Sequence, residues 1–391
     1  MPPTSDDPFA QLGLHSELLS AVQSAGFQTP TPIQSAVIAA VLAGKDVLAR
    51  AATGSGKTAA FGLPLLQRLL DEPRVPRARG NPVAVLVLAP TRELVMQIAD
   101  VLSGFTRAWP RAVRVKAVYG GVAINPQMMA LRGGVDILVA TPGRLLDLQR
   151  KNAVELSQLR ALVLDEADRM LSLGFRDELD QVIACLPARR QNLLFSATLP
   201  PDIATLTQSL LHDPIEVDVT QPTVSQSEPN IEQRVYSVDV ERKPALLIRL
   251  LEQPALQQVL VFISMKKTAD TLVAKLERAG IHAAVFHADK SQRERSLALQ
   301  KFRDGSLRVL LATDLAARGI DIDDLPVVIN FELPRSPNDY LHRIGRTGRA
   351  GKTGLAISLV CSAEEQHFRV IEKRMKRKLP REQVAGFESR T

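Results

Sequence analysis

Apolar residues along the chain gather into short, largely β-branched runs, most of them continuous, that stop in polar or glycine-containing turns. They fall at 47–48, 83–88, 113–118, 137–139, 161–164, 193–195, 259–263, 283–286, 309–311, 327–329 and 356–360. Runs that are apolar at every position, rather than at alternate ones, are expected of strands covered on both faces. About 15 to 30 residues separate most of them, and these carry helical spacing such as Leu63, Leu66, Leu69 and Leu70, or Leu272 and Leu276, which predicts βα units on mostly parallel sheets flanked by helices. The fold class is α/β.

One stretch interrupts the cadence. Residues 220–230 contain two prolines and almost nothing apolar, the composition of an exposed connector, so the expected domains are 1–219 and 231–391 with a linker between. Residues 71–82 are similarly polar, but they link a helix to a strand inside the first domain and are expected to form a surface loop. A length of 391 residues suits two domains, and the shared strand–helix cadence of the halves predicts that they are related in architecture.

Composition narrows the class. The chain is 45% hydrophobic and 23% charged, the balance of a globular protein. Its longest apolar runs, 36–43 and 83–89, fall far short of the ~18 residues needed to cross a bilayer. The polar, acidic start of the chain predicts neither a secretory signal nor a transit peptide. Cys185 and Cys361 stand far apart with no CxxC spacing, so neither a zinc site nor a disulfide framework is expected, and a reducing, cytoplasmic setting is. The net charge of +7 points to an anionic partner, nucleic acid or a membrane surface, without choosing between them.

The strongest local chemistry is the segment Ala51, Ala52, Thr53, Gly54, Ser55, Gly56, Lys57, Thr58, between a predicted strand and an apolar helix. Glycines let the backbone wrap phosphate oxygens. Successive N–H groups and the following helix N-terminus supply positive potential, Lys57 adds a charge, and the Thr58 hydroxyl can reach Mg²⁺. The general P-loop pattern has glycine where this chain has Ala51. Some hundred residues later, the apolar run at 161–164 ends in Asp165, Glu166 and Asp168. There Asp165 suits Mg²⁺ held largely through water, and Glu166 suits activation of an attacking water.

Asp165-Glu166-Ala167-Asp168 spells the name of the DEAD-box RNA helicases, and the chain resembles that family from Phe9 to about Gly386. Elements similar to the family's appear in its order: Thr31-Pro32-Ile33-Gln34, the P-loop, Pro90-Thr91-Arg92-Glu93-Leu94, Gly120-Gly121, Thr141-Pro142-Gly143-Arg144, the acidic box and Ser196-Ala197-Thr198. The second half adds Gln292 and Arg295, Ala312-Thr313-Asp314, residues 317–321, and His342 to Arg349. The tail around Pro380-Arg381-Glu382 and Gly386-Phe387 resembles the bacterial RhlE-like branch. The resemblance implies two tandem RecA-like domains and an RNA-dependent ATPase that locally unwinds or remodels short duplexes. Its cofactors are ATP and Mg²⁺, and its partner is RNA. By analogy alone, ribosome assembly or RNA turnover is the setting.

Individual residues acquire roles in the same way. Gln34 carries an amide able to donate and accept, as adenine requires, although a glutamine after proline also caps a helix. Phe27 and Phe9 offer faces for stacking, and Thr29 joins them in the nucleotide set implied by the resemblance. Thr91, Arg92, Gly121, Thr141, Gly143 and Arg144 lie just past predicted strand ends, where hydroxyls, glycine N–H groups and guanidinium suit phosphate and sugar. The resemblance makes these the RNA-backbone residues, together with Pro90, Gln292, Arg295, Thr313 and Arg318. Arg343, Arg346 and Arg349 lie in a domain with no P-loop, and their expected work is to reach ATP held by the other. The family match makes Arg346 and Arg349 the fingers, assigns Asp321 to the ribose, and couples His342 to Asp168 and to Ser196 and Thr198.

Two rivals stay open: a DNA helicase with paired ATPase domains, and an ATP-gated RNA clamp that binds without unwinding. Aromatics at 4% are too few for a base-stacking surface, so little sequence specificity is expected. Residues 1–219 hold 21 Lys and Arg against 21 Asp and Glu, which puts the whole +7 on residues 220–391. Seven basic residues against one acid lie between Arg369 and Arg381, predicting a basic C-terminal helix that is either an auxiliary RNA contact or a solvated face. The finger assignment has a direct test. Arg346→Ala should lower RNA-stimulated turnover on the order of 10³-fold with a much smaller change in ATP affinity, and wild-type turnover would remove it.

Overall fold

The computed structural model describes residues 7–51, 54–71, 82–107, 109, 113–219, 231–317, 325–348 and 353–388. The chain divides into two compact units, 1–223 and 224–391. The first holds seven parallel strands: β1 (Val47–Arg50), β2 (Val85–Leu88), β3 (Val115–Val118), β4 (Ile137–Ala140), β5 (Ala161–Leu164), β6 (Gln191–Ser196) and β7 (Ile215–Asp218), in the order β3-β4-β2-β5-β6-β1-β7. The second holds β8 (Ile231–Ser237), β9 (Val259–Ile263), β10 (Ala283–Phe286), β11 (Val309–Thr313), β12 (Val327–Asn330), β13 (Gly354–Val360) and β14 (Arg381–Glu382), in the order β10-β11-β9-β12-β13-β8-β14. Counted from each unit's own first strand, the two orders are identical. The shared cadence is a shared topology.

Continuous apolar runs arise because successive strand side chains enter opposite cores. Along β5, Leu162 and Leu164 join Leu86, Leu88 and Leu194 on one face, while Ala161 and Val163 join Val85, Val87, Leu193 and Phe195 on the other. In the second unit, Val259, Val261 and Ile263 of β9 enter one core, and Leu260 and Phe262 another. Each fully buried leucine contributes roughly 1.5–3 kcal/mol. Such a strand has no room for a polar side chain except at its ends.

Three strands fall outside the expected runs. β7 alternates Ile215, Glu216, Val217, Asp218 with only Val217 buried, because it lies at the sheet edge and has one face to cover. β8 is polar through Glu232, Gln233 and Arg234 and becomes buried only at Val235 and Tyr236. β14 is two charged residues pairing with β8. No helix among the described residues is long and apolar enough to cross a membrane.

The basic tail differs from the expected single helix. Helix Glu365–Met375 stops at Lys376, which takes a left-handed backbone with φ 53°, and the chain turns back to form β14. Arg369, Lys373, Arg374, Lys376, Arg377 and Lys378 are exposed, whereas Ile371 and Leu379 are core residues. Arg381 sits 2.8 Å from both Glu365 and Glu372, with its guanidinium 4.8 Å from the Phe368 ring centroid. Arg381 therefore belongs to the fold, fastening β14 across the helix.

This clasp predicts a pH signature. Hydrogen bonding from Arg381 holds the Glu372 carboxyl below its ordinary range, so the stabilisation is complete above that range and is lost as pH falls through it. Arg381→Ala should cost about 2 kcal/mol at neutral pH by urea unfolding, less than a fully buried pair because the guanidinium is partly wet. The deficit should shrink below about pH 4, and a pH-independent deficit would assign Arg381's contribution to packing alone.

Candidate nucleotide and RNA-backbone sites

Sheet order sorts the functional segments. β5, β6 and β1 are neighbours, so their carboxyl ends bring together Asp165–Asp168, Ser196–Thr198 and the P-loop. β3, β4 and β2 are also neighbours, and theirs gather Gly120–Gly121, Thr141–Arg144 and Pro90–Arg92. Open α/β sheets bind ligands at this rim. A single sheet thus carries both candidate sites side by side.

At the P-loop, the Ala51 N–H donates to the Ser196 carbonyl at 3.0 Å, continuing the β1–β6 ladder. Ala51 is still part of the sheet there, which accounts for alanine where the general pattern has glycine. Gly56 has φ 91°, and a Cβ there would lie 2.5 Å from Gln34 Nε2, so any side chain would strain the backbone and displace Gln34. Helix Lys57–Asp71 begins at Lys57 itself, presenting its unpaired N–H groups to the loop. Ala52 and Thr53 lie outside the described residues; Gly54, Ser55 and Thr58 stand at the loop and first helical turn.

Lys57 is buried with Nζ 3.7 Å from Asp165 Oδ1 and 3.4 Å from the Ala51 carbonyl. Asp165 is 2% exposed, and burial pushes its carboxyl up to about 6 against the pull of Lys57. Among the described residues no three His, Cys, Asp or Glu side chains converge as a metal cage. Asp165 together with the Thr58 hydroxyl suits a cation that keeps most of its water and leans on phosphates. A dication near Asp165 would also hold ionised a carboxyl that burial disfavours.

Glu166 takes the left-handed conformation, φ 53°, at the head of helix Ala167–Ser172, a strained placement of the kind found at functional sites. Its Oε2 accepts from Arg169 Nη1 at 3.2 Å, and both side chains are nearly buried. Arg169 is a neighbour the sequence analysis missed, although an arginine three residues on along a helix was a usable signal. Asp168 Oδ2 accepts from the Thr198 N–H at 3.0 Å and from Thr198 Oγ1 at 2.6 Å, while Ser196 Oγ donates to the Thr198 carbonyl at 2.5 Å. The loop after β6 is thereby tied to the helix after β5.

Gln34 is 0% exposed. Its Oε1 accepts from the Thr31 N–H at 2.9 Å, closing a capping box on helix Pro32–Leu42, and its Nε2 donates to the Gly56 carbonyl at 3.3 Å. Thr31 Oγ1 adds a bond to the Ser55 carbonyl at 3.0 Å. The amide caps its helix and grips the P-loop at once. Phe27 is half-buried against Phe105 with ring centroids 6.1 Å apart, and Thr29 is exposed nearby in sequence. Phe9 requires correction: it is 1% exposed inside the hydrophobic core, which leaves no face open for stacking.

On the other half of the rim, Pro90 is buried and Thr91 accepts from the Leu94 N–H at 3.3 Å as the cap of helix Arg92–Thr106. Gly121 has φ 74°, and a Cβ there would fall 1.7 Å from Arg92 Nη2, so the guanidinium lies directly on the glycine. Thr141 Oγ1 accepts from the Gly120 N–H at 3.3 Å. Arg144 is buried, with Nη2 donating to the Val122 carbonyl at 2.7 Å; it holds the glycine loop in place. Gly143 is half-exposed beside it.

In the second unit, Gln292 opens helix Gln292–Arg303 after β10, Arg295 is buried over the Phe286 ring at 4.9 Å, and Thr313 ends β11. β10 and β11 are adjacent, so these residues share one rim. Arg343 departs from the expected finger. It is 2% exposed, bidentate to Asp314 at 2.6 and 2.7 Å, bonded to Asn330 Oδ1 and the Glu332 carbonyl, and 4.9 Å over Phe262. Every guanidinium nitrogen is committed within its own unit. His342 is exposed one residue before it, and Arg346 is buried with its backbone paired to Leu325. Arg318, Asp321 and Arg349 lie outside the described residues.

Residues 31–206 match the DEAD/DEAH box helicase family, and residues 242–351 match the helicase conserved C-terminal domain. The chain is 40% identical over 375 residues to the DEAD-box ATP-dependent RNA helicase CshA of Geobacillus kaustophilus, covering 95% of this chain and 78% of that one. The chain belongs to the DEAD-box RNA helicase family. This DEAD-box protein is also 41% identical over 380 residues to the ATP-dependent RNA helicase DeaD of Escherichia coli, spanning 59% of it. Its fold is similar to that of S. cerevisiae Dbp5 bound to RNA and ADP BeF3, at a TM-score of 0.81 and 30% identity over 96% of both chains. The tandem RecA-like architecture agrees with this.

The raised Asp165 carboxyl has a measurable consequence in this DEAD-box protein. Because folding disfavours its ionised form, the folded state loses ground as pH rises from the ordinary aspartate range through about 6. Replacement by a neutral isostere removes that loss. Between pH 4 and pH 7 the stability difference should move in favour of nucleotide-free Asp165→Asn by about 2 kcal/mol, read by urea unfolding, and a flat difference would show that Asp165 ionises freely.

Proposed function

We propose that this chain is an RNA-stimulated ATPase that locally unwinds or remodels short RNA duplexes by ATP-driven closure of its two domains on the RNA backbone. The observation that carries this is the division of one sheet rim between phosphate-loop chemistry on β5-β6-β1 and backbone-suited loops on β3-β4-β2. Neighbouring sites on one rigid sheet let RNA and ATP favour the same closed state. Lys57 and the N–H groups of the loop hold the phosphates, Gln34 reports adenine to the P-loop through Gly56, and Glu166 orients the attacking water. When bound, Mg²⁺, held by Thr58 and through water by Asp165, supplies charge neutralisation at the phosphates.

Arg346 and Arg349 complete the transition-state charge on closure, and His342 docks on the Asp168–Thr198 linkage. Arg92, Gly121, Thr141, Gly143, Gln292, Arg295, Thr313 and Arg318 face sugar and phosphate, with Arg144 setting the glycine loop. A backbone bent on this surface loses its duplex partner locally, which makes unwinding short-range. The resemblance of the tail around Pro380-Arg381-Glu382 is what supports placement in the RhlE-like branch; the cytoplasm, and ribosome assembly or RNA turnover as the setting, follow by analogy alone.

Stimulation of ATPase by RNA and not by DNA is expected. Glu166→Gln should lose turnover by about 10²-fold or more yet retain ATP-dependent RNA binding. Equal stimulation by DNA would turn the reading toward a DNA translocase, and undiminished unwinding by the variant would remove Glu166 from the reaction.

A further inference from the structure

A line of buried polar side chains crosses the second unit from the end of β11 to the first strand after the connector. Asn330 at the end of β12, Ser358 within β13 and Tyr340 on helix Pro337–Ile344 are each 0% exposed, and Arg343 is buried beside them. Ser358 stands in the body of a strand that is otherwise apolar, a placement that is stable only when its bonds are made.

The bonds run in one direction. Arg343 Nη1 donates to Asn330 Oδ1 at 3.0 Å, and Asn330 Nδ2 donates to Ser358 Oγ at 3.2 Å. Tyr340 Oη lies 3.2 Å from both Ser358 Oγ and Gln233 Oε1. A carbonyl oxygen only accepts, so the single phenolic proton goes to Gln233 and the Ser358 hydroxyl donates to Tyr340. Burial pushes the Tyr340 hydroxyl up to about 12, which keeps that proton in place. Each group thus polarises the next, from the guanidinium held by Asp314 to Gln233, the third residue after the connector.

Two members of the line sit on one helix. Tyr340 and Arg343 are three positions apart and face inward together, with the Tyr340 ring edge-on to Phe368 at 5.8 Å between centroids, while His342 is exposed on the outer side. The Arg346 N–H donates to the Arg343 carbonyl at 3.2 Å, so the turn beyond the helix moves with it. Arg343 fixes one point of the inner face and the Tyr340 hydroxyl a second, and two points set the roll of a helix about its axis. A roll of about 10° moves a group about 5–6 Å from the axis by about 1 Å, an error that can cost about 10²-fold in rate.

We propose that Tyr340 is a positioning residue for the arginine finger: its hydroxyl, bonded between Ser358 and Gln233, sets the roll of helix Pro337–Ile344 and with it the direction in which Arg346 is presented to ATP. This rests on the reading of Arg346 as the finger.

The test is a double-mutant cycle on the full chain, read by RNA-saturated ATPase and by ATP and RNA affinities, with folding checked by circular dichroism. Tyr340→Phe keeps the ring against Phe368 and removes only the hydroxyl. It should lower kcat about tenfold, with the KM for ATP and the Kd for RNA within about twofold of wild type. Ser358→Ala cuts the same line one bond earlier and should give the same split. In an Arg346→Ala background, Tyr340→Phe should cost less than about twofold further, since the group it positions is gone. An undiminished kcat in Tyr340→Phe, or the same fold loss in both backgrounds, overturns the proposal and leaves the finger in place. Wild-type turnover in Arg346→Ala overturns the finger reading itself, and the proposal with it.

Discussion

Burial of parallel strands on both faces is the constraint from which the rest follows. With Leu162 and Leu164 in one core and Ala161 and Val163 in the other, β5 can carry a carboxylate only where it leaves the sheet. The same holds for β6 before Ser196 and for β1 before the P-loop. Chemistry is thereby confined to one rim, and the strand order alone decides which segments meet. Because the order places β5, β6 and β1 together, three motifs far apart in the chain converge, and the contacts of Lys57 with Asp165 and of Thr198 with Asp168 form where the strands have already brought them.

Convergence at a dry rim has an electrostatic cost that the structure keeps rather than removes. Asp165 is buried beside Lys57, and its carboxyl is still pushed up to about 6; Glu166 is held in a left-handed backbone. Both are unfavourable for the isolated chain and suit a site built to meet the charges of a nucleotide and its cation. Gln34 and Thr31 transmit the same logic to the P-loop, since their bonds to Gly56 and Ser55 make the position of one helix a condition for the position of the other.

Arginines show most clearly why residue type is a poor guide to role. Arg343 and Arg381 sit in segments that read as functional or basic, yet each is committed to carbonyls or carboxylates of its own unit. Arg343 in particular uses all its nitrogens to fasten Asp314 and Asn330 beside Phe262, and this rigid base is what sets the position of His342 and Arg346 around it. The cations left at the surface of the C-terminal helix are those facing water, and the net charge of the chain is no measure of either group.

By itself the sequence determined the α/β class, the two-unit division and the identity of the phosphate and acidic segments, because these rest on local period and on motif spacing, which neighbours in the chain encode. It did not show β7, β8 and β14, whose one-sided or mixed burial leaves no continuous apolar run. Nor could it separate Phe9 in the core from Phe27 at its margin, a helix-capping Gln34 from one that also grips Gly56, or the buried commitment of Arg343 to Asp314 from an arginine free to reach outward. Those distinctions belong to the tertiary structure, because burial and hydrogen-bond partners are set by segments far apart in the chain that only the assembled sheet brings within reach.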